Sequence, residues 1–199
     1  ERINGKNRYE TSLILANKLK DIKDIKEVAV VNGEKGLSDA VSVGAPAAQN
    51  KMPIILSNPK DGVEAFDKFI RDEKVIKAYV IGGTNSVSRA VEKSLPNAER
   101  VSGKDRNETN AKVIETYYGK LDKLYIAKDG YGNNGMLVDA LAAGPLAAGK
   151  GPILLAKTDI TDSQKNALSK KLNLGAEVTQ IGNGVELTVI QKIAKILGW

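Results

Sequence analysis

The sequence has no cysteine and no histidine among its 199 residues. The absence of cysteine excludes disulfide bonds and thiolate metal sites. The absence of histidine removes the commonest general base at neutral pH and the commonest metal ligand, so catalysis would depend on carboxylates, lysine or tyrosine. We therefore expect a protein that is not an enzyme and that has no metal site and no cofactor.

Long apolar runs are also absent. No stretch reaches the roughly 18 apolar residues that a membrane-spanning helix needs, and no basic segment followed by an apolar one opens the chain. We expect no membrane partner. The chain begins with Glu1 rather than methionine, so we expect a fragment of a longer protein. Its 42% content of hydrophobic residues suffices for one or two ordinary domains.

The charge is mildly basic and evenly spread. The formal net charge is +6, and residues 1–98 hold 16 Lys and Arg against 13 Asp and Glu, whereas residues 99–199 hold 14 against 11. A nucleic-acid-binding surface would concentrate Lys and Arg on one face with aromatic residues between them. We therefore expect no nucleic-acid partner, but the excess is compatible with another polyanion.

The chain contains two tandem copies of one repeat. The opening segment, which we call the opener, reads ERINGKNRYET from residue 1 and returns as ERVSGKDRNET from residue 99. Three further blocks follow in the same order in both halves, namely DAVSVG and DALAAG, PIIL and PILL, and VIGG and QIGN. Four blocks in a fixed order indicate a duplication, and we place the two copies at residues 1–98 and 99–199.

Each copy alternates short apolar runs with helical patterns. Strands that are apolar throughout and separated by helices are typical of a parallel sheet buried on both faces. The sequence therefore predicts an α/β fold of two tandem three-layer modules, with mainly parallel sheets and helices on both faces. We expect the alanine-rich helices around residues 40–48 and 140–148 to be the most buried. The predicted strands cover residues 27–31, 53–56, 78–81, 124–127, 153–155 and 178–181, and the predicted helices residues 9–19, 38–49, 63–73, 86–95, 137–148, 163–172 and 186–197.

The repeated motifs are expected to be structural. They comprise an Arg-x-x-Gly-x-x-Arg-x-x-Thr opener, an Asp-Ala-x-x-x-Gly segment, a Pro-Ile-(Ile/Leu)-Leu strand and an Ile-Gly turn. A proline at the start of a strand is tolerated because its missing N–H need not join the ladder. Besides the second arginine of the opener, the motif residues are Arg2, Gly5, Thr11, Asp39, Pro53 and Gly82 in the first copy and Arg100, Gly103, Thr109, Asp139, Pro152 and Gly182 in the second.

On these motifs the sequence resembles the type 2 cell-wall-binding repeat, which occurs in surface-layer and cell-wall proteins of clostridia and related Gram-positive bacteria. The resemblance covers essentially the whole chain. It implies a Toprim-like, Rossmann-like module that usually occurs three in a row around a pseudo-threefold axis. It also implies an extracellular, non-catalytic anchor that binds an anionic cell-wall polysaccharide and displays an attached protein on the cell surface.

The usual number of three repeats has a consequence for assembly. We expect either a third repeat in the parent chain or self-association through the faces that a third repeat would cover. The second copy departs from the family pattern at Asn107, where the opener usually carries tyrosine, and at Asn183, where the first copy has a second glycine. We expect the two copies to bind unequally.

Candidate ligand-binding residues lie in the loops that follow the strands, because open α/β sheets bind ligands beyond the carboxyl ends of their strands. These loops combine glycine with Asn, Lys and Tyr, which suit sugar hydroxyls and acidic groups. Glycine and asparagine are also ordinary turn residues, whereas a turn does not require Lys35, Lys128 or Tyr131. The candidates are Asn32, Lys35 and Asn85 in the first copy and Lys128, Tyr131, Asn133 and Asn183 in the second.

Two arginines of the openers, Arg8 and Arg106, have alternative roles. Each guanidinium would suit a ligand carboxylate or phosphate, or would form an internal ion pair with Asp39 or Asp139. We favour the ion pairs because the Arg and Asp recur together. The threonines of the openers are interpreted as local hydrogen-bonding residues near a helix start.

Two other functions are alternatives to cell-wall anchoring. A Toprim-type phosphoryl-transfer enzyme needs a glutamate after the first strand and a later Asp-x-Asp to hold Mg²⁺. Glu34 suits the first position, but no Asp-x-Asp occurs, and neither do the glycine-rich nucleotide-binding motifs. A protein–protein assembly module of a surface layer is the second alternative, and the sequence leaves it open.

Overall fold

A computed structural model describes residues 1–199 and shows two α/β units, each with a parallel sheet flanked by helices. None of the helices has the length and hydrophobicity to cross a membrane. Short 3-10 turns lie at Glu64–Phe66 and Asn134–Leu137. The elements in chain order are α1 (Arg8–Lys20), β1 (Glu27–Asn32), α2 (Leu37–Gln49), β2 (Ile54–Ser57), α3 (Asp67–Asp72), β3 (Lys77–Ile81), α4 (Arg89–Ser94), β4 (Glu99–Val101), α5 (Arg106–Tyr117), β5 (Leu121–Ala127), α6 (Val138–Ala147), β6 (Ile153–Leu155), α7 (Asp162–Lys171), β7 (Leu172–Gln180) and α8 (Leu187–Leu197).

The predicted parallel α/β architecture is confirmed. The strand order is β2-β1-β3-β4 in the first sheet and β6-β5-β7 in the second, and every pair of neighbouring strands is parallel. The helix predicted over residues 63–73 is instead a 3-10 turn followed by the short α3. Val63, Phe66 and Phe69 are all buried, and this spacing of three places them on one side of a 3-10 turn.

The opener of the second copy forms the last strand of the first sheet. In β4, Glu99, Arg100 and Val101 pair in parallel with residues 79–81 of β3. The sequence does not predict this strand, because β4 has three residues and only Val101 is buried. The first sheet is therefore completed by residues of the second copy.

Successive strand residues face two different cores, as the alternation of side chains along a strand requires. In β1, Val28 and Val30 belong to a cluster with α1 and α3 on one face. Ala29 and Val31 belong to a cluster with α2 on the other face. The second unit repeats this arrangement, with α5, α7 and α8 on one face and α6 on the other.

Helix α2 joins the two units. Its Val43 and Ala47 pack in the cluster of the first sheet, whereas Val41 and Ala45 pack in the cluster of the second sheet. Val113 of α5 reaches back into the first cluster. Because each unit contributes side chains to the other unit's core, the two copies form one continuous packed structure.

The two alanine-rich helices differ in burial. The expectation that they are the most deeply buried is right for α2, which packs against both α5 and α6. It is wrong for α6, where Val138, Leu141 and Leu146 are exposed and only three alanines are buried. The reason is that α6 packs on its own sheet and on α2 but has no helix over its outer side.

Candidate functional site

The opener folds in the same way in both copies. A Cβ on Gly5 or Gly103 would lie 2.3 or 2.2 Å from the Cβ of the glutamate five residues later, so only glycine fits. The backbone N–H of each glycine donates to the hydroxyl of Thr11 or Thr109 at 3.0 Å. The threonines thus hold the opener against the first turn of α1 or α5. The helix caps themselves are Asn7 and Asp105, whose side chains each accept two backbone N–H groups.

The opener arginines hold the loop after the first strand of their own copy. Arg8 Nη1 donates to the carbonyl oxygen of Gly33 at 2.7 Å, and Arg106 Nη1 donates to that of Asp129 at 2.9 Å. The expected ion pairs with Asp39 and Asp139 do not form. The two aspartates lie instead against the glycines that follow the third strand of each copy.

The contacts of those aspartates explain the recurring Ile-Gly turn. A Cβ on Gly82 would lie 2.5 Å from Asp39 Oδ2, and one on Gly182 would lie 2.0 Å from Asp139 Oδ2. Both glycines also have positive φ angles, of 106° and 73°, which side chains other than glycine's rarely adopt. The repeated Asp and Gly are therefore required together.

Arg100 ties the second copy's opener to the first copy. Its guanidinium donates to the carbonyl oxygens of Gly82 at 2.7 Å and Val87 at 2.9 Å and pairs with Glu92 at 2.8 Å. The side chain is largely buried, and hydrogen bonds from a charged donor are the stronger kind. Arg100 fixes the position of the opener over the carboxyl ends of the first sheet.

A polar groove lies where this opener faces the loops of the first copy. Its volume is about 440 Å³, within the usual range of ligand sites. No hydrophobic side chain lines it, and it holds three cationic groups and two carboxylates. We call it the inter-repeat groove, and its lining residues are Lys35, Ser38, Asp39, Gly83, Thr84, Asn85, Ser86, Gly103, Lys104, Asp105, Arg106 and Thr109.

A shallower depression of about 180 Å³ continues the groove across the carboxyl ends of β1 and β2. It shares Lys35, Asn85 and two hydroxyl-bearing residues with the inter-repeat groove and extends to Asn58 and Pro59. Together the two form an elongated polar surface, a shape that suits a chain-like ligand.

Asp39 sets the electrostatics of the groove. Burial raises the pKa of its carboxyl group to about 6, although the hydrogen bond from Ser86 Oγ at 3.4 Å and the positive charge of Arg106 both act to lower it. The carboxylate is therefore mostly ionised at pH 7 and mostly neutral at pH 5. The net positive charge of the groove rises as Asp39 takes up its proton.

The groove brings together three of the predicted binding residues, Lys35, Asn85 and Arg106. Asn32 lies in the adjoining depression, but its amide is engaged by the protein. It donates to Ser86 O at 2.6 Å and accepts the backbone N–H groups of Glu34 and Lys35. Asn32 therefore connects the loops after β1 and β3 rather than facing a ligand.

The other predicted binding residues lie outside the groove. Arg8 is exposed on the first copy, and the remaining four lie on loops of the second copy after β5 and β7. The side chain of Lys128 passes beside Gly184, Tyr131 is 74% exposed, and Asn133 accepts the N–H of Gly135. The second copy's own opener contacts the loop after β5 through Arg106, but no opener of another copy faces these loops, which include Asn183, so they lack the second wall that forms the groove in the first copy.

Lys104, Thr84 and Ser86 line the groove but were not predicted. Lys104 follows Gly103 as Lys6 follows Gly5, and this recurrence is a signal that was available. Thr84 and Ser86 carry no such signal. The groove itself depends on one copy's opener docking on the other copy's loops, which the sequence does not show.

The family known as Cell wall binding domain 2 (CWB2) matches residues 2–92 and 100–190. Among solved structures, Cwp8 from Clostridium difficile superposes with a TM-score of 0.88 and 41% sequence identity, covering 100% of this chain and 33% of that protein. Cwp6 from the same organism superposes with a TM-score of 0.85 and 35% identity, covering 98% of this chain and 31% of that one.

Two relatives come from Bacillus subtilis (strain 168). The N-acetylmuramoyl-L-alanine amidase LytC is 31% identical over 150 residues, which are 75% of this chain and 28% of that protein. The amidase enhancer is 29% identical over 163 residues, 80% of this chain and 22% of that protein. The chain thus spans a third or less of the length of all four proteins.

Proposed function

The chain belongs to the Cell wall binding domain 2 family, and from that premise we propose that it anchors an attached protein by binding an anionic cell-wall polysaccharide without a covalent bond. The family and the Cwp relatives place it at the cell wall or cell surface. The observation that carries the proposal is the inter-repeat groove, whose lining is polar throughout and whose positive groups come from both copies.

The chemistry of the groove suits an acidic polymer. Lys35, Lys104 and Arg106 offer positive charge to carboxylate or phosphate groups, and hydroxyl and amide side chains between them suit sugar hydroxyls. Arg106 uses only Nη1 in its bond to the protein, so its other N–H groups are available. Such a site binds through charge and hydrogen bonds in open water rather than by enclosing an apolar ligand.

We propose that the chain itself is not catalytic. The amidase named among the relatives shares 28% of its length with this chain, and we assign the amidase reaction to the remainder of that protein. Glu34, the carboxylate that a Toprim-type enzyme would use, is exposed and lies within 3.5 Å of the Tyr9 hydroxyl. Catalysis therefore plays no part in the role that we propose for this chain.

A second role, assembly with a further copy of the repeat, is favoured by a separate observation. Val41 of α2 is 3% exposed, whereas its counterpart Leu141 in α6 is 57% exposed. Val113 of α5 is 1% exposed, whereas its counterpart Leu15 in α1 is 50% exposed. Val41 and Val113 thus mark the two sides of the interface between the copies. The equivalent surfaces, at Leu141 of the second copy and Leu15 of the first, are exposed. We propose that a further repeat covers them, either in the parent chain or in another molecule.

The anchoring proposal is tested by sedimentation of the chain with purified cell walls. A double variant, Lys35→Gln with Lys104→Gln, removes two groove cations, and the matched control, Lys165→Gln with Lys195→Gln, removes two exposed cations from α7 and α8. We expect the groove variant to lose retention and the control to keep it. Walls stripped of their anionic polymer should retain neither protein. Equal retention of both variants, or full retention on stripped walls, would contradict the proposal.

A further inference from the structure

The sequence contains four Asn-Gly pairs, at residues 4–5, 32–33, 134–135 and 183–184. Asparagine is thermally labile, and most of all before glycine, because glycine has no Cβ to hinder the approach of its backbone nitrogen to the asparagine side chain. That nitrogen attacks Cγ of the asparagine. The reaction therefore needs a glycine N–H without a hydrogen bond and an asparagine amide that is free to move.

Two of the pairs have a glycine N–H that is engaged by a side chain. The N–H of Gly5 donates to the hydroxyl of Thr11 at 3.0 Å, in the contact that holds the opener against α1. The N–H of Gly135 donates to Oδ1 of Asn133 at 2.8 Å, in the cap of the second 3-10 turn. Each of these nitrogens must lose its hydrogen bond before it can attack the preceding asparagine.

The pair after β1 is held on both sides of the bond. The N–H of Gly33 donates to Ser57 O at 2.9 Å. The amide of Asn32 is buried and makes three hydrogen bonds, one as a donor to Ser86 O and two as an acceptor of backbone N–H groups. Neither reacting group of this pair is free.

The pair in the loop after β7 has none of these restraints. Asn183 and Gly184 are both exposed. The amide of Asn183 makes no hydrogen bond, and the N–H of Gly184 donates to no acceptor. The one side-chain hydrogen bond in this loop runs from Gln180 to Gly182 O and leaves both groups free. Both requirements of the reaction are therefore met at this pair alone among the four.

The free state of Gly184 does not depend on whether another repeat follows. Its counterpart in the first copy is Thr84, which lies beside the docked opener and lines the inter-repeat groove. Thr84 is nonetheless exposed, and its N–H forms no hydrogen bond. An opener docked on the second copy in the same way leaves the nitrogen of Gly184 without a partner.

A cation lies beside the reacting nitrogen. A Cβ on Gly184 would lie 3.2 Å from Nζ of Lys128, so the ammonium group is close to this peptide. Attack requires the peptide nitrogen to give up its proton, and a neighbouring positive charge stabilises the negative charge that develops there. Lys128 thus favours the reaction at this pair.

We propose that Asn183 is a site of spontaneous deamidation in the folded protein. The backbone nitrogen of Gly184 bonds to Cγ of Asn183 and closes a succinimide ring. The bond from Cγ to the side-chain nitrogen breaks, and ammonia leaves with the proton of the Gly184 N–H. Water then opens the ring at either of its two carbonyl carbons and gives aspartate or isoaspartate. Water is the only co-reactant, and each event replaces a neutral amide with a carboxylate.

The new carboxylate changes the charge of the second copy's loops. It appears one residue from the contact of Gly184 with Lys128, a cation that would otherwise be offered to a ligand. The first copy carries Gly83 at the equivalent position, so only the second copy changes with time. The effect on binding rests on the proposed anchoring function, because added negative charge repels an acidic polymer. The modification itself is independent of that function.

Peptide mapping by mass spectrometry tests the site. On incubation of the folded protein at mildly alkaline pH, Asn183 should gain about 1 Da. Its rate should exceed the rates at the other three pairs by about tenfold or more, because each of those must first break a hydrogen bond. In concentrated urea the four pairs should react at similar rates, since only the fold distinguishes them. Equal rates in the folded protein, or an Asn183 that stays intact, would overturn the proposal.

A substitution tests the part assigned to Lys128. Lys128→Gln removes the ammonium group and should slow the reaction at Asn183 severalfold, whereas Lys165→Gln, at an exposed position of α7, should leave the rate unchanged. Equal rates in the two variants would show that the cation contributes nothing to the step.

Wall retention separates the modification from its consequence. Asn183→Asp carries the charge of one product from the start and should lose part of its retention on cell walls. Asn183→Gly reproduces the first copy and has no amide to lose, so its retention should stay constant on incubation while that of the wild type falls. A wild type that deamidates without any loss of retention would confirm the modification site and contradict polymer binding at this loop.

Discussion

Asp39 is the titratable residue that connects the fold to the groove. Its carboxyl group lies against Gly82 and accepts a hydrogen bond from Ser86, and it faces the guanidinium of Arg106 across the inter-repeat groove. Burial favours the neutral acid. The same residue therefore affects both the stability of the first unit and the charge offered to a polyanion.

The raised pKa of Asp39 predicts a loss of stability with rising pH. The folded-state pKa of about 6 exceeds the ordinary value of 3.8, so the folded protein binds the proton more tightly than the unfolded chain. This stabilisation is fully present below about pH 4 and is lost as the pH rises through 6. Urea unfolding of Asp39→Asn should lack this loss and exceed the wild-type stability at pH 7 by about 3 kcal/mol.

The comparison of wild type and Asp39→Asn across pH 4 to 7 isolates this group, because other carboxylates titrate in both proteins. A constant difference between the two proteins over that range would show that Asp39 has an ordinary pKa. Wall retention supplies a second measurement, since the wild type should bind more strongly at pH 5 than at pH 7 as the groove loses a negative charge.

At the level of secondary-structure elements, side-chain amides protect the edge strand β6. Asn110 donates to Ile153 O at 2.9 Å and accepts the N–H of Leu155 at 3.0 Å, and Gln164 donates to Leu155 O at 2.8 Å. Asn110 also donates to Ser42 of α2 at 3.2 Å. These contacts satisfy backbone groups that would otherwise offer an edge for aggregation. They also join α5 to β6 of its own unit and to α2 of the first unit.

Replacement of Asn110 with alanine should destabilise the protein. The side chain is 1% exposed, so its loss leaves the backbone groups of β6 buried without their partners, at a cost of about 2 to 3 kcal/mol. Thermal and urea unfolding measure the change. Asn166→Ala, at an exposed position of α7, is the matched control and should change stability by less than about 0.5 kcal/mol. Equal effects of the two substitutions would refute this role of Asn110.

The elements differ in how far the sequence predicts them. The long apolar strands β1 and β5 are recognisable because parallel strands are buried on both faces. β4 is not recognisable, because its partner β3 belongs to the other copy. The strand forms through backbone pairing with β3 and leaves no hydrophobic pattern in its own sequence. α3 is shorter than expected because the spacing of Phe66 and Phe69 suits a 3-10 turn as well as a helix.

The sequence likewise predicts some residues of the candidate site but not others. Lys35 and Asn85 follow strands in glycine-containing loops, and the rule that ligands bind at the carboxyl ends of parallel strands identifies them. Arg106 does not form the predicted ion pair, because its Nη1 donates to a backbone carbonyl, but its remaining N–H groups lie toward the groove, where a ligand-binding role would place them. Lys104 was not predicted because it lines the same groove as Lys35 only when the two copies dock.

At the scale of the whole molecule, net charge and an open groove predict binding that depends on salt. The screening length falls from about 8 Å at physiological ionic strength to about 3 Å at 1 M, so retention on cell walls should fall steadily between these conditions. The Lys35→Gln, Lys104→Gln variant should show a shallower dependence because fewer ion contacts are lost. Retention that is unchanged up to 1 M salt would mean that charge contributes little.

The duplication allows the same substitution to be compared at equivalent positions of α2 and α6. Val41 is buried between the two copies, whereas Leu141 is exposed on the outer side of the second. Glutamine at position 41 buries an amide in an apolar cluster and should cost about 2 to 4 kcal/mol of stability. Glutamine at position 141 should change stability by less than about 0.5 kcal/mol but reduce self-association.

Urea unfolding and sedimentation equilibrium separate these two effects. If Leu141→Gln lowers stability as much as Val41→Gln in a dilute monomer, then the α6 face is part of the folded core and the exposed positions do not mark an interface. If its stability is unchanged while association weakens, the side of the repeat that packs internally in the first copy serves as an external contact in the second. The same repeat surface then acts as core or as interface according to whether another copy follows it.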